Sequence, residues 1–113
     1  MAKNRKFNVA GSTIYTAKVR PGDIVHFVLE PNNPMDKNAI RIVNSNGDTI
    51  GYVPKASAFE FQEFRAGKYP FYCAKITEVW QGNLSNVPKV LAHFTKNEEE
   101  LPYQSQNWLY SDS

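Results

Sequence analysis

The stretch AIRIVNSNGDTIGYV, residues 39–53, contains two short apolar runs separated by Asn46-Gly47. An Asn-Gly pair favours the turn of a β-hairpin, because both residues tolerate positive φ. The runs on either side, 39–43 and 49–53, alternate in part and are rich in β-branched residues, which is typical of strands. The stretch therefore predicts a two-stranded hairpin near the middle of the chain.

Upstream of the hairpin, two more strands are predicted at residues 6–10 and 24–29. Arg20-Pro21-Gly22-Asp23 lies between them and predicts a β-turn, since Pro and Gly suit its two central positions. The connection from the second of these strands to the hairpin is unusual. Residues 29–42, LEPNNPMDKNAIRI, include two prolines and two acidic residues but no glycine.

Downstream of the hairpin, residues 54–67 change to helix-forming side chains. Pro54 fits the first turn of a helix, and Gly67 fits the position just past its end. Two further strands are predicted at 72–80 and 89–96, around a loop that contains Gly, Asn, Ser and Pro. Short strands, frequent turns and a central helix predict a mainly β fold with a small helical part (α+β). Its arrangement is a small, partly open β-barrel of about six strands with one or two helices.

The composition divides the chain of 113 residues in two. Residues 97–113 hold four of the 11 acidic residues and no basic one, which leaves 13 basic against 7 acidic residues, a net +6, in residues 1–96. We predict a domain over 1–96, suited by charge to a polyanion, and an acidic tail over 97–113 that contains aromatic residues. The tail is expected to dock, since Trp108-Leu109-Tyr110 is too apolar for a disordered segment. No apolar run suggests a signal peptide or a membrane helix, and the predicted location is cytoplasmic.

Motifs of catalysis are absent from the sequence. It has no phosphate-binding glycine loop, no Gly-x-Ser-x-Gly and no His-Glu-x-x-His. Zinc needs about four ligands at close spacing, which one cysteine, Cys73, and two distant histidines, His26 and His93, do not supply. The histidines are predicted on strand faces and the cysteine in the core. No enzyme activity, catalytic residue, metal or cofactor is predicted.

The loop before the hairpin holds Asp36 among asparagines and one lysine. Two interpretations follow from the residues alone. Asp36 and the asparagines bond the loop's own backbone, as such side chains commonly do. Alternatively, Asp36 accepts a hydrogen bond from a ligand hydroxyl, because a carboxylate repels phosphate but accepts O–H strongly.

Several motifs resemble those of the HIRAN domain family. The likeness is close over residues 7–67, weak over the last two predicted strands and absent from the tail after residue 96. The motifs are Val9-Ala10-Gly11, Tyr15, the run from Glu30 to Ile40 with its Asn-Pro-x-Asp-x-Asn-Ala-Ile pattern, and Gly47-Asp48-Thr49-Ile50-Gly51-Tyr52-Val53-Pro54. The resemblance implies an OB-like barrel that binds the 3′ end of single-stranded DNA, and a link to DNA repair. It implies that Asp36 accepts the terminal hydroxyl and that Tyr15 stacks on a base. Further implied residues are Thr16, Asn33 and Tyr52 near the end pocket, and Lys37 and Lys55 on phosphates.

The sequence departs from the family pattern at three positions. Met35 stands where DNA-binding members have a second stacking aromatic, and methionine packs on a ring more weakly. Ile14 and Thr13 replace an aromatic and an arginine. The loss of that arginine removes a bidentate phosphate contact, for which Lys18 or Arg20 are the candidate replacements.

Two functions remain open at this point. The first is a non-catalytic nucleic-acid-binding module for single-stranded DNA with a free 3′-hydroxyl end. The alternative is a protein–protein interaction module that keeps the barrel but has lost the end pocket. In the alternative, a protein partner or a second copy of the chain binds through the tail around Trp108.

Overall fold

The computed structural model describes residues 3–12, 18–62, 66–81, 86–103 and 109–110. Within these ranges an α-helix, α1 (Lys55–Glu60), and a 3-10 turn, Glu98–Glu100, accompany the strands. The strands are β1 (Lys3–Asn8), β2 (His26–Leu29), β3 (Ile40–Val43), β4 (Thr49–Tyr52), β5 (Phe71–Gln81), β6 (Asn86–Thr95) and β7 (Leu109–Tyr110). Across the described part of the chain, no helix is long and apolar enough to span a membrane.

The strands form two sheets, with the orders β1-β6-β5 and β4-β3-β2-β7. Isolated bridges join the sheets at both edges, where Ala10 pairs with Tyr52 and Ile24 pairs with Lys75. The path around the molecule is therefore β1-β6-β5-β2-β3-β4 and back to β1. Within the described residues the joining edges carry only these bridges, so the barrel is partly open. The predicted mainly β, OB-like barrel is confirmed.

Aromatic side chains fill the centre of the barrel. Phe27 stacks on Tyr72 at 5.2 Å between ring centroids, and Phe61 meets Phe94 edge-on at 5.0 Å. The Tyr72 hydroxyl accepts a hydrogen bond of 3.1 Å from the Phe27 amide, and burial raises the pKa of Tyr72 to about 12. We call Phe7, Phe27, Phe61, Tyr72 and Phe94 the aromatic core.

Gly51 allows the chain after β1 to cross from one sheet to the other. Its φ is +150°, and a Cβ there would lie 2.7 Å from the Ala10 carbonyl oxygen and closer still to the Val9 side chain. Because glycine has no Cβ, Ala10 approaches closely enough to exchange two hydrogen bonds with Tyr52, of 2.8 and 2.9 Å. The close approach brings the start of the β1–β2 connection to the end of β4.

The predicted hairpin is confirmed, although its connection spans residues 44–48 rather than Asn46-Gly47 alone. Asn44 and Asp48 close the turn with a backbone bond of 2.9 Å, and Gly47 has φ +86°. The bond between Asn44 and Asp48 encloses a loop of three residues, 45–47, and a residue with positive φ before the second strand is common in such loops. The turn predicted at Arg20–Asp23 is also confirmed by a bond of 3.1 Å between the Asp23 amide and the Arg20 carbonyl.

Two predicted elements differ in the structure. The helix predicted over 54–67 is interrupted: α1 ends at Glu60, Phe61 is in a turn, Gln62 is again helical, and residues 63–65 lie outside the described residues. The Phe61 amide donates to Ala58 three residues back, and this tightened turn directs Phe61 into the aromatic core. Pro88, predicted in a loop, lies within β6 opposite Val79. The β1–β6 ladder ends at Lys89. Opposite the next residue, the Val9 amide donates to the Pro88 carbonyl oxygen at 2.9 Å, but proline has no amide to return the bond.

The C-terminal residues contact both sheets. Tyr103 lies against the outer face of the β1-β6-β5 sheet, edge-on to His93 at 6.2 Å, with the Lys75 ammonium 5.4 Å from its ring. Cys73, opposite His93 on that face, is fully buried, and its burial raises the pKa of its thiol. β7 then pairs in parallel with β2 at Val28 and Leu29. The side chain of Trp108 lies outside the described residues.

Candidate functional site

One end of the β4-β3-β2-β7 sheet gathers the residues of interest. β2 ends there, β3 begins there and β4 ends there, because the three strands are antiparallel neighbours. The connection between β2 and β3, residues 30–39, is called the end loop. The bridge between Ala10 and Tyr52 adds the start of the β1–β2 connection to the same end.

Asn33 organises the end loop through both ends of its side-chain amide. Its Oδ1 accepts from the backbone amides of Met35 at 2.8 Å and Asp36 at 3.1 Å. Its Nδ2 donates to Oε1 of Glu30 at 3.1 Å. The side chain of Asn33 therefore provides the hydrogen-bond partner for three polar groups of this ten-residue loop.

Glu30 anchors this network to the sheet. It is buried, and its Oε2 lies 3.4 Å from Nε of Arg41, an ion pair that holds Arg41 against the outer face of the sheet. A carboxylate removed from water is costly unless its oxygens are paired, and both oxygens of Glu30 have a partner here. Arg41 in turn stands opposite Tyr52 in the β3–β4 ladder, so the two side chains share the outer face.

Asp36 lies in the middle of the end loop and is half-buried. Its Oδ1 accepts from the Asn38 amide at 2.9 Å, while its own amide donates to Asn33. Oδ2 receives no hydrogen bond from the described residues. The first interpretation of Asp36 therefore holds for Oδ1, which bonds the loop's backbone, and the ligand interpretation concerns Oδ2.

Two apolar side chains belong to the same end. Met35, beside Asp36, is 89 % exposed, an unusual state for a large apolar residue. Tyr52 is half-buried at the end of β4, and its backbone is fixed by both bonds to Ala10. Tyr15 and Thr16, like the variant positions Thr13 and Ile14, lie outside the described residues.

The predicted phosphate contacts separate into two groups. Lys37 follows Asp36 in the end loop, and Lys55 begins α1 three residues after Tyr52, so both belong to this end. Arg20 does not. It lies in the turn that precedes β2, roughly 20 Å along that strand from the end loop. The Gly22 amide of this turn donates to the Ile76 carbonyl of β5 at 2.7 Å. Lys18, exposed, follows the undescribed residues 13–17.

The acidic residues of the 3-10 turn are distant from this end. Glu100 accepts from the Thr95 hydroxyl at 2.7 Å, a bond that lowers the pKa of its carboxyl group, and Thr95 is the last residue of β6. Pro88, near the other end of β6, bonds Val9 beside Ala10 and Tyr52. Seven residues of strand separate Thr95 from Pro88, roughly 23 Å. That exceeds the screening length of about 8 Å at physiological salt.

The sequence did not point to Glu30 or Arg41. Glu30 was part of the motif, but its burial depends on how the loop folds over it. Arg41 had a usable signal, since it occupies an outward position between Ile40 and Ile42 on a strand whose inward residues are apolar. Among the described residues, no group of three or more His, Cys, Asp or Glu side chains could hold a metal ion.

Comparison with known proteins identifies this arrangement. The model of the HIRAN domain matches residues 4–93, which include the end loop, the hairpin, β5 and most of β6. This chain belongs to the HIRAN domain family. The match runs through β5 and most of β6, which the predicted resemblance covered only weakly.

HIRAN domains of known structure share the fold. The crystal structure of the HIRAN domain of human HLTF aligns with a TM-score of 0.68 and 26 % identity, over 80 % of this chain and 74 % of that one. The NMR structure of the HLTF HIRAN domain in its DNA-bound conformation aligns with a TM-score of 0.64 and 27 % identity, over 84 % and 77 % of the two chains.

Longer relatives contain the same domain. The helicase-like transcription factor of Oryctolagus cuniculus is 30 % identical over 101 residues, which cover 89 % of this chain and 9 % of that protein. The Homo sapiens protein of that name is 41 % identical over 51 residues, which cover 45 % of this chain and 5 % of the relative. This HIRAN chain thus spans less than a tenth of the length of these relatives.

Proposed function

We propose that this HIRAN chain is a non-catalytic module that binds single-stranded DNA at its 3′-hydroxyl end. The observation that carries this function is the state of Asp36. One carboxylate oxygen is used to fix the side chain within the loop, and the other has no hydrogen-bond partner among the described residues. A carboxylate fixed in this way is prepared to accept one further hydrogen bond at a defined place.

The chemistry of Asp36 favours a hydroxyl over a phosphate. A terminal 3′-hydroxyl donates its proton to the carboxylate in a charge-assisted hydrogen bond. A 3′-phosphate would instead place negative charge beside negative charge. The DNA-bound form of a HIRAN domain with the same fold supports nucleic acid as the ligand. Free 3′ ends arise when DNA is damaged, so we propose a role in DNA repair in the cytoplasm.

The remaining contacts are proposed for bases and phosphates. Met35 and Tyr52 offer apolar surface beside Asp36, and Tyr15 is proposed as a further stacking face on the basis of the family motif. Lys37 and Lys55 are proposed to contact phosphates near the end, with Lys18 and Thr16 beside them. Arg20 contacts phosphate only if the strand continues along β2, given its position. Asn33 acts indirectly, by holding the backbone on either side of Met35 and Asp36.

Fluorescence anisotropy with labelled single strands tests this function. Three ligands are compared at low and moderate salt: a strand with a 3′-hydroxyl, the same strand with a 3′-phosphate, and a circle with no end. The wild-type protein is expected to prefer the hydroxyl end. Asp36→Asn should lower that affinity by about 10- to 100-fold, the range for a hydrogen bond to a charged group.

Asp48→Asn is the matched control. Asp48 is exposed in the turn between β3 and β4, at the opposite end of the same strands, and its replacement removes the same charge. It should change affinity only slightly. Equal binding of all three ligands by the wild-type protein, or equal effects of the two substitutions, would contradict recognition of the end by Asp36.

A second function is favoured by the pairing of β7 with β2. The edge of β2 accepts an extended segment in parallel through Val28 and Leu29, directly before the end loop. An edge that accepts a strand can also accept one from another protein or from a second copy of the chain. This alternative predicts self-association that persists at high salt and that is lost when residues 104–113 are removed. Sedimentation over a range of protein concentrations distinguishes it, because end binding requires no self-association.

A further inference from the structure

Besides Met35, the structure has a second exposed large apolar side chain, that of Trp80, which is 64 % exposed. It borders a groove of about 700 Å³ at the end of β5. The groove is lined by Asn8, Glu78, Val79, Trp80, Val87 and Lys89. We call it the Trp80 groove.

Strand register places Trp80 on the outer face of the β1-β6-β5 sheet. Trp80 is opposite Val87, and Lys89, two residues further along β6, is opposite both Glu78 and Asn8. Residues opposite each other, or two apart on one strand, share a face. The adjacent position, Val90 with its partner Phe7, points into the aromatic core. Trp80 is therefore directed away from the core and makes no contribution to it.

The Trp80 groove is next to the end of the barrel that carries the end loop. β1 stops pairing at Asn8, and the chain leaves the sheet through the bond between the Val9 amide and Pro88. Ala10, two residues after Asn8, pairs with Tyr52. Two residues of chain span at most about 7 Å. One short segment thus borders the groove on one side and the proposed DNA site on the other.

The charges around the groove suit a nucleic-acid backbone. The Lys89 ammonium lies 2.8 Å from the Glu78 carboxylate, and the exposed Lys6 stands on the same face two residues before Asn8. Lys89, and to a smaller extent Lys6, lower the pKa of Glu78, so both ammonium groups are close to it. Two cations against one anion leave a positive balance beside an exposed indole. Sites that bind single-stranded nucleic acids usually combine stacking aromatic side chains with flanking cations.

We propose that the Trp80 groove is a second nucleic-acid contact, in which a base several nucleotides from the 3′ end stacks on Trp80 while Lys6 and Lys89 face the backbone. This inference rests on the proposed function, and it extends the site from the terminal nucleotides to a longer strand. It also provides an exposed ring to a site in which Met35 occupies the position where DNA-binding family members have an aromatic residue. One OB-type barrel covers several nucleotides, so a groove next to the end site lies within the reach of one strand.

The test combines strand length with tryptophan fluorescence. The chain has two tryptophans, so Trp108→Phe leaves Trp80 as the single indole. Adding a ten-nucleotide strand with a 3′-hydroxyl should quench this fluorescence, whereas a dinucleotide should not. In the wild-type background, Trp80→Ala should weaken binding of the ten-nucleotide strand by about 5- to 150-fold, the range for loss of one base stack. Binding of the dinucleotide should be unchanged, and Trp80→Phe should retain most of the affinity for the longer strand.

The outcomes separate this inference from the proposed function. If the ten-nucleotide strand binds and depends on Asp36, yet Trp80→Ala leaves its affinity unchanged, the groove is not a contact and the end site stands. Weakening of both ligands by Trp80→Ala to the same extent would also overturn the groove as a separate contact. If the wild-type protein binds neither strand, both ideas are overturned together. Thermal melting of Trp80→Ala verifies the fold, which the exposed position of the side chain should preserve.

Discussion

The aromatic core and the end loop are ordered by different forces. The aromatic core is ordered by burial: its rings come from β1, β2, β5, β6 and the residue after α1, and they are nearly or completely inaccessible. The end loop has one buried side chain, Glu30, and is ordered by hydrogen bonds around Asn33. The core joins residues distant in sequence, whereas the bonds around Asn33 join residues at most three apart.

This difference separates stability from recognition. Burial of aromatic rings contributes most to the free energy of unfolding but leaves no group available to a ligand. A hydrogen-bonded loop contributes little net stability, because its bonds replace bonds to water. It can, however, hold a carboxylate and an exposed Met35 at fixed positions on the surface. Substitutions in the two regions should therefore separate effects on folding from effects on binding.

The largest effect is expected in the aromatic core. Phe61→Ala removes a fully buried ring that contacts Phe7, Phe27 and Phe94, and it should lower the free energy of unfolding by about 3–5 kcal/mol. The matched variant in the loop is Met35→Ala, which shortens a side chain that is 89 % exposed. It should change stability by no more than about 0.5 kcal/mol. Urea unfolding measures both, and similar losses in the two variants would contradict the division between the regions.

The next effect concerns the junction of the two regions, at Gly51. Gly51→Ala introduces a Cβ at a φ of +150° and against the Ala10 carbonyl oxygen, 2.7 Å away. Gly67→Ala is the control, since Gly67 also has positive φ (+87°) but has no atom within 4 Å of the added Cβ. Both variants carry the backbone penalty of about 1–2 kcal/mol. The clash should cost Gly51→Ala a further 1–3 kcal/mol or so. Equal melting temperatures of the two variants would mean that the chain after β1 is not tightly packed against β4 at Gly51.

The parts that the sequence predicted are those governed by neighbouring residues. The hairpin, the turn at Arg20–Asp23 and the polar character of the end loop all depend on short-range preferences for Pro, Gly, Asn and Asp. The motif around Asp36 also allowed the family to be recognised. Contacts between residues far apart in sequence were harder to predict. The extension of β1 back to Lys3 depends on pairing with β6, and alternation within KNRKFN does not predict it.

Other features depended on tertiary contacts that no local pattern encodes. Pro88 lies in a strand whose ladder with β1 ends there because proline returns no hydrogen bond to Val9, and the helix is interrupted where Phe61 turns into the core. Within the site, Asp36, Met35 and Lys37 were predicted from the loop, whereas Glu30 and Arg41 emerged only from the fold. The position of Arg20 at the far end of β2 also could not be read from its spacing, because the direction of β2 decides it.

An intermediate effect is expected within the end loop. Asn33→Ala leaves Oε1 of the buried Glu30 and the amides of Met35 and Asp36 without their partner, and it should cost about 1–3 kcal/mol of stability. Asn32→Ala is the matched control, because Asn32 is exposed and makes no hydrogen bond with the described residues. It should be within about 0.5 kcal/mol of the wild type. Amide hydrogen exchange at Met35 and Asp36 should accelerate only in Asn33→Ala. Acceleration in both variants would show that Asn33 is not the organiser of the loop.

The smallest effect involves two histidines that belong to neither region. Burial lowers the pKa of His26, and burial together with the Lys75 ammonium lowers the pKa of His93 below the unfolded value of 6.5. Above pH 6.5 both are neutral whether the protein is folded or unfolded. Below it the unfolded chain takes up protons first, so the free energy of unfolding should fall as the pH falls through 6.5 and level off below the folded pKa values.

The carboxyl groups with lowered pKa, Glu78 and Glu100, start from 4.5 and therefore act only at lower pH. Urea unfolding at pH 7.5 and pH 5.5 isolates the histidines for that reason. The wild-type protein should be less stable at pH 5.5, and a variant with both His26→Gln and His93→Gln should show a smaller difference between the two pH values. The wild-type protein and the double variant are compared by this difference rather than by absolute stability, because His93 also contacts Asn4 and Tyr103. A wild-type protein more stable at pH 5.5 would reverse the sign and show that both imidazoles gain, rather than lose, favourable interactions when they are charged in the fold.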